Sequence, residues 1–220
     1  MKKLSLFASL LAILVFAACQ NNNTTETGEA QDAATASKDA NIYTINTDAS
    51  VINWEGYKPG RYSHIGTIKM QSGQLAINNG NIESGSFVID MNSLNNLDLQ
   101  DAKDKAKLEG HLKSGDFFEV EKYPTGKFEI ASVQALTGDA SGATHKITGN
   151  LTLKDITKSI ELPARVAVSD GKLVAESLEF SINRTEWGAS HDSGLVGAVG
   201  DALIADDIKL KITLQASTQG

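Results

Sequence analysis

From residue 42 onward, apolar and polar residues alternate with a period of two. Ile52 and Trp54 fall on one face, as do Phe87, Ile89 and Met91, and Phe128 with Ile130. Ile147, Leu151 and Leu153 repeat the parity, and Ile160, Leu162, Ala164, Val166 and Val168 make the longest run. Phe180 with Ile182, then Ile208, Leu210, Ile212 and Leu214, complete it. The intervening positions are mostly polar, so each predicted strand has one wet face. Turn signals separate the strands at Asn78-Asn79-Gly80-Asn81, Gly138-Asp139 and Ser169-Asp170-Gly171. Two segments break the alternation. Asp101 to Lys113 is rich in Ala, Lys and Leu, with Leu108 and Leu112 one turn apart, which predicts a short helix. Leu195 to Ile204 predicts a second helical turn before the last strand. Many short strands without βαβ alternation predict an all-β, antiparallel sandwich or barrel. A closed barrel of about eight strands either holds one small ligand or is filled by its own side chains. The pattern does not choose between those outcomes.

The first forty residues follow other rules. Lys2 and Lys3 precede an uncharged apolar stretch, Leu4 to Ala18, which is too short to span a bilayer comfortably and suits a cleaved signal over residues 1–18. It ends in Phe16-Ala17-Ala18-Cys19, with the only cysteine of the chain last. This resembles a bacterial lipoprotein signal, in which that cysteine becomes lipid-modified and N-terminal; Phe16 stands where Leu is usual. Two or more acyl chains on Cys19 would anchor the protein stably. Gln20 is not the Asp associated with inner-membrane retention, so the resemblance implies an outer-membrane anchor facing the periplasm. Residues 20–40 carry no aromatic and no large aliphatic side chain. They are expected to form a flexible tether with a coil span on the order of 25 Å. The remaining ~180 residues, 41–220, suit one all-β domain. Removing Lys2 and Lys3 moves the net charge from −7 to −9, which argues against nucleic acid as a partner. With one cysteine there is no disulfide framework.

Candidate chemistry is sparse. His64, His111, His145 and His191 are far apart and none has a ligand-spaced partner, so no metal site is expected. No serine lies in a GxSxG elbow, and Asp206 and Asp207 would point to opposite faces of a strand. An enzymatic reading would need two convergent titratable groups, and none is apparent; the protein is read as a non-enzyme. Arg184 continues the inward parity of Phe180 and Ile182. A buried guanidinium needs an anionic partner, either an Asp or Glu at the barrel end or the head group of a ligand. Lys103, Lys105, Lys107 and Lys113 make the helix locally basic and could attract a pyrophosphate head if the helix caps the barrel. Trp54, Phe87, Phe128 and Phe180 fall on apolar faces and could line a cavity. Phe117 and Phe118 are adjacent, so in an extended stretch only one would face inward.

Three separated motifs occur in order: HLKSGDFFEVEKYP at 111–124, ITGNLTLKDITKSIELP at 147–163 and FSINRTEWG at 180–188. Together they resemble the YceI-like family of secreted, lipocalin-like proteins linked to polyisoprenoid lipids, over roughly residues 42–214. The resemblance implies a barrel around an elongated apolar cavity. Its ligand would be a polyisoprenoid or isoprenoid quinone, with no other cofactor. The cavity wall is expected to include Trp54, Phe87, Ile89, Phe117, Phe118, Phe128, Phe180, Ile182 and Trp187, with Arg184 and His111 as candidates for the head group. The alternative is an envelope stress or interaction protein whose filled barrel is only a scaffold. The oligomeric state is open, a homodimer included.

Overall fold

The computed structural model describes residues 24–218, so the predicted signal segment and Cys19 lie outside the described residues. Ten strands and one α-helix follow in chain order: β1 (Asn41–Ile45), β2 (Val51–Lys58), β3 (Tyr62–Asn78), β4 (Asn81–Asn96), α1 (Ala102–Lys113), β5 (Thr125–Ala135), β6 (His145–Leu153), β7 (Ile156–Ser169), β8 (Lys172–Ser177), β9 (Phe180–Asn183) and β10 (Asp207–Thr218). Strands β2 to β8 pair in succession, and β10 pairs with both β8 and β2, closing an antiparallel ring of eight. Two shorter strands lie off the ring: β1 bridges β10 and β3, and β9 pairs with β10 alone. The predicted barrel of about eight strands with short helices is the fold. The second predicted helical segment is two single 3-10 turns, Gly194–Val196 and Gly200–Ala202.

Hairpin chemistry explains the strand order. Two-residue turns that match strand twist need positive φ at both central positions. Asn79 and Gly80 adopt φ of 51° and 82°, and Asp170 and Gly171 adopt 50° and 69°. A third such turn, Lys154 (49°) and Asp155 (58°), contains no glycine and escapes a search for turn residues. Inward parity then does the packing. Phe87 on β4 lies opposite Phe128 on β5, their rings stacked at 6.4 Å. Gly149 on β6 makes room for this pair, because a Cβ there would lie 2.3 Å from the Phe128 ring.

The barrel has one incompletely paired seam. Strand β7 pairs with β8 only over Ala164 to Ser169, while β9 pairs with β10 and not with β7. Residues 24–28 occupy this seam. Thr25 N–H donates to the Ser181 carbonyl at 2.7 Å, and Gly28 and Ser159 exchange two backbone hydrogen bonds of 2.9 and 3.0 Å. The chain continues across β6, β5 and β4. Gln31 N–H donates to Asn150 Oδ1 (2.9 Å) and Asn150 Nδ2 donates to the Gln31 carbonyl (2.7 Å). Ala34 N–H reaches the Ile130 carbonyl (2.9 Å), which a register shift in the β5–β6 ladder leaves available. Ser37 N–H ends the crossing on Glu83 Oε2 at 2.6 Å. Over residues 24–40 the expected flexible tether is therefore replaced by an ordered strap. Its composition cannot form a core of its own, but backbone groups left open by the seam and the bulge give it hydrogen-bond partners. Asn150 and Ser159, outward by parity, are buried beneath it.

Candidate functional site

Helix α1 lies over one end of the barrel. Asp101 caps its N-terminus by accepting from the N–H groups of Lys103 and Asp104, and none of its residues is fully buried. It is held mainly by polar ties: Asn96 N–H donates to Glu109 Oε1 (2.7 Å) and Lys113 Nζ to the Asn92 carbonyl (2.8 Å). Leu108, His111 and Leu112, one face at i, i+3 and i+4, project over a cavity of about 360 Å³. That volume lies in the range of small-molecule sites. A second cavity of about 110 Å³ lies deeper in the barrel. Both are bounded by Ile52, Ile89, Leu151 and Leu210, so they adjoin.

The residues named from the sequence fall on two cavities, with one exception. Trp54, Ile89, Phe117, Phe118 and Ile182 line the outer cavity, and Phe87, Ile89, Phe128 and Phe180 line the inner one. Two expectations change. Phe117 and Phe118 both line the outer cavity, because the chain from 114 to 123 is a series of turns, in which adjacent side chains need not oppose. Trp187 lines neither cavity. It is 1% exposed in the solid wall, where its indole N–H donates to the Leu151 carbonyl at 3.0 Å.

Arg184 lines the outer cavity but is held by protein acceptors. It opens a 3-10 turn, Arg184–Trp187, yet keeps its inward direction and is 2% exposed. Nε donates to the Ala205 carbonyl (3.0 Å), Nη2 to Ile204 (3.2 Å) and Nη1 to Ala189. Nη2 also lies 3.5 Å from Asp206 Oδ1, and the guanidinium sits 5.5 Å from the Phe117 ring centre. Burial pushes its pKa down and the Asp206 and Asp192 carboxylates push it back up. The guanidinium thus ties the loop after β9 to the start of β10. None of the four lysines singled out on α1 lines the cavity; Lys58 on β2 does, and its Nζ donates to the Asp201 carbonyl at 2.9 Å.

Several mouth residues carry no sequence signal of their own. Tyr57, Tyr62, His64 and Asp192 join the wall through tertiary placement. His64 Nδ1 lies 2.8 Å from Asp98 Oδ2, and Asp98 Oδ1 accepts from Ile65 N–H (2.9 Å) and Asn96 Nδ2 (2.6 Å). Burial works to raise the Asp98 pKa, but these hydrogen bonds and His64 outweigh it and hold it below the ordinary value. His111 Nε2 pairs with Asp116 Oδ2 at 3.0 Å. Two His–Asp pairs therefore stand at the mouth where sequence spacing suggested none. Trp54 Nε1, buried in the wall, has no hydrogen-bond partner among the described residues.

The model of the YceI-like domain matches residues 43–216. The chain belongs to the YceI-like family. Its curated relatives match over limited stretches. A UPF0312 protein of Pseudomonas aeruginosa is 44% identical over 61 residues, 28% of this chain and 29% of its own. One from Ectopseudomonas mendocina is 33% identical over 108 residues, 49% of this chain and 51% of its own. The matched part thus spans about half or less of these relatives. Among solved structures, Burkholderia cenocepacia BcnA superposes with a TM-score of 0.61 at 20% identity, covering 79% of this chain and 99% of that one. A polyisoprenoid-binding domain from Saccharophagus degradans gives 0.54 at 15% identity, covering 80% and 98%. At these identities the likeness establishes that this YceI-like chain shares their fold.

Proposed function

We propose that this YceI-like protein holds one elongated apolar lipid, of polyisoprenoid or isoprenoid-quinone type, inside the barrel, for sequestration or transport. The observation that carries the reading is the pair of adjoining apolar cavities, which share Ile52, Ile89, Leu151 and Leu210 in their walls. A long chain fits that shape, and a filled scaffold barrel would not contain it. The fold shared with a polyisoprenoid-binding domain supports the same ligand class. The two Lys and Arg side chains that line the outer cavity already face protein oxygens: Arg184 three carbonyls and Asp206, Lys58 the Asp201 carbonyl. This favours a neutral, quinone-like head over a diphosphate, whose charge would need free cations. Leu195, Val196 and Val199 stand exposed on the loop that leads to Ile204 and Ala205 in the wall, and offer the mouth an apolar contact with a lipid surface. Lipidation at Cys19 would keep the barrel in the envelope beside its lipid source, with the outer membrane as the expected site.

The test is lipid mass spectrometry of protein purified from its native membrane, beside an Ile89→Trp variant that fills the junction of the two cavities. A single class of long isoprenoid, depleted several-fold in the folded variant, is expected. A barrel empty of lipid, or equal lipid in both proteins, overturns the reading. A catalytic second reading rests on the His64–Asp98 pair, which could act as an oriented base. Among the described residues no hydroxyl or thiol is hydrogen-bonded to His64, so it has no activated nucleophile. Unchanged lipid chemistry in a His64→Ala variant would dismiss catalysis, whereas accumulation of an unmodified precursor would establish it.

A further inference from the structure

The mouth contains a group of side chains that the lipid-binding reading does not use. His111 lies in the last turn of α1, Asp116 in the turn that follows, and His191 comes from the loop between β9 and β10. Eighty residues of sequence separate the two histidines, so no spacing rule could pair them. In the fold their rings meet edge to face at 4.9 Å, both against Phe117, at 5.1 and 5.3 Å. Asp116 stands between them, with Oδ2 3.0 Å from His111 Nε2 and Oδ1 3.9 Å from His191 Nδ1. One donor atom from each of the three lies within 4.8 Å of the others.

We propose that His111, Asp116 and His191 form a binding site for one divalent transition-metal ion of the zinc type. Ligands at zinc–nitrogen and zinc–oxygen distances of about 2.0–2.2 Å sit about 3.3 Å apart in a tetrahedron. The His111–Asp116 separation is already near that value, and the His191 ring closes the remainder by a small rotation. Two imidazoles and one carboxylate suit zinc and its neighbours rather than magnesium or calcium, which prefer oxygen alone. A second feature fits the same ion. With His191 Nδ1 turned to the metal, its Nε2–H points to the carboxylate of Asp192, 3.4 Å away. A carboxylate behind a metal-bound histidine fixes the ring and raises its basicity. Three protein ligands leave at least one coordination position for water or another oxygen donor.

The consequence is mechanical as well as chemical. His111 belongs to the helix over the cavity and His191 to the loop between β9 and β10, and His111 and Asp192 both line the cavity. A shared ion would clip the helix, itself without a fully buried residue, to that loop. Metal occupancy would then set how readily the mouth opens. This inference is independent of what the barrel holds, because it is read with the metal alone.

The full-length protein, purified in detergent and stripped with a chelator, is titrated with Zn²⁺ by calorimetry, and separately with Co²⁺ for its visible absorption. One ion per chain is expected, with Kd in the micromolar range or tighter. Affinity should fall at least tenfold in His111→Ala and His191→Ala, and about 10- to 100-fold in Asp192→Asn, the change typical of a lost outer carboxylate. Asp116 is exposed, so Asp116→Asn tests a ligand without threatening the fold, and an unchanged melting temperature with lost binding identifies it as one. His64→Ala, at the other His–Asp pair, should bind as the parent does. No saturable binding below about 100 μM Zn²⁺ (weaker than roughly 5 kcal/mol), or binding that survives both His111→Ala and His191→Ala, overturns the proposal. So does an equal loss in His64→Ala.

Discussion

Replacing Arg184 by Met separates architecture from ligand recognition at the mouth. Methionine retains an unbranched apolar stem beside Phe117 but removes every donor. The change strands the Ala189 carbonyl, whose residue is fully buried, and the half-buried carbonyls of Ile204 and Ala205. Asp206 loses its cationic partner at 3.5 Å; its side chain is 27% exposed overall, but Oδ1, the oxygen that faces the guanidinium, is buried without another hydrogen-bond partner. A buried acceptor left without its partner costs about 1–3 kcal/mol, and breaking a buried pair typically costs about 3–5 kcal/mol. With the Ala189 carbonyl and Asp206 Oδ1 buried and the other acceptors partly wet, a loss of about 3–5 kcal/mol is expected. Urea unfolding of delipidated protein, with both proteins fitted to a common slope, measures it. Lipid per folded molecule, measured by mass spectrometry, should stay within twofold of the parent. A destabilisation below about 1 kcal/mol, or a tenfold loss of lipid with stability intact, would refute the structural role and return Arg184 to the head group.

Other perturbations test other links. Gly149→Ala places a Cβ 2.3 Å from the Phe128 ring and 2.7 Å from the Glu129 carbonyl, so overpacking should lower stability by about 1–3 kcal/mol or more, visible as a lowered melting temperature. Trp187→Phe removes the N–H donated to the Leu151 carbonyl and also leaves a cavity where the larger indole stood, so it should cost about 2–4 kcal/mol by chemical denaturation with no change in lipid content. Gly28→Pro deletes the donor to Ser159 O. Hydrogen exchange should then quicken at the Ser159 amide, which pairs with Gly28, while the Ile52 amide on the far side keeps its protection; a uniform response would argue against a locally attached strap. The folded-state pKa of Asp98 is depressed, so its contribution is present above the unfolded value of about 3.9 and lost as pH falls through the folded value. Asp98→Asn should therefore flatten the acid limb of a stability–pH curve below about pH 4, and parallel limbs would contradict the assignment.

The alternation of Phe87, Ile89 and Met91, and of Ile160 through Val168, determined that the chain makes strands with one wet face. The Asn-Gly and Asp-Gly turns determined hairpins, and the Asp101-capped stretch determined the helix. These are local properties, set by side-chain period and backbone preference, and they also placed Trp54, Phe87, Phe128 and Phe180 on the inner face. What the sequence left open depended on closure. Whether the barrel is hollow is a matter of how eight inner faces meet, and no single strand carries that information. The ordered strap over 24–40 has no signature of its own because its partners are backbone groups exposed by a gap between β7 and β9. Trp187 is expected in the cavity wall from the family resemblance and not from parity; the 3-10 turn after β9 carries it into the solid part of the core. Arg184 could be read inward from parity, but two of its three carbonyl partners, Ile204 and Ala205, lie about twenty residues away. The same holds for His111 and His191: tertiary folding brought together what eighty residues of sequence kept apart, since the distance that matters for a shared ligand is measured through space.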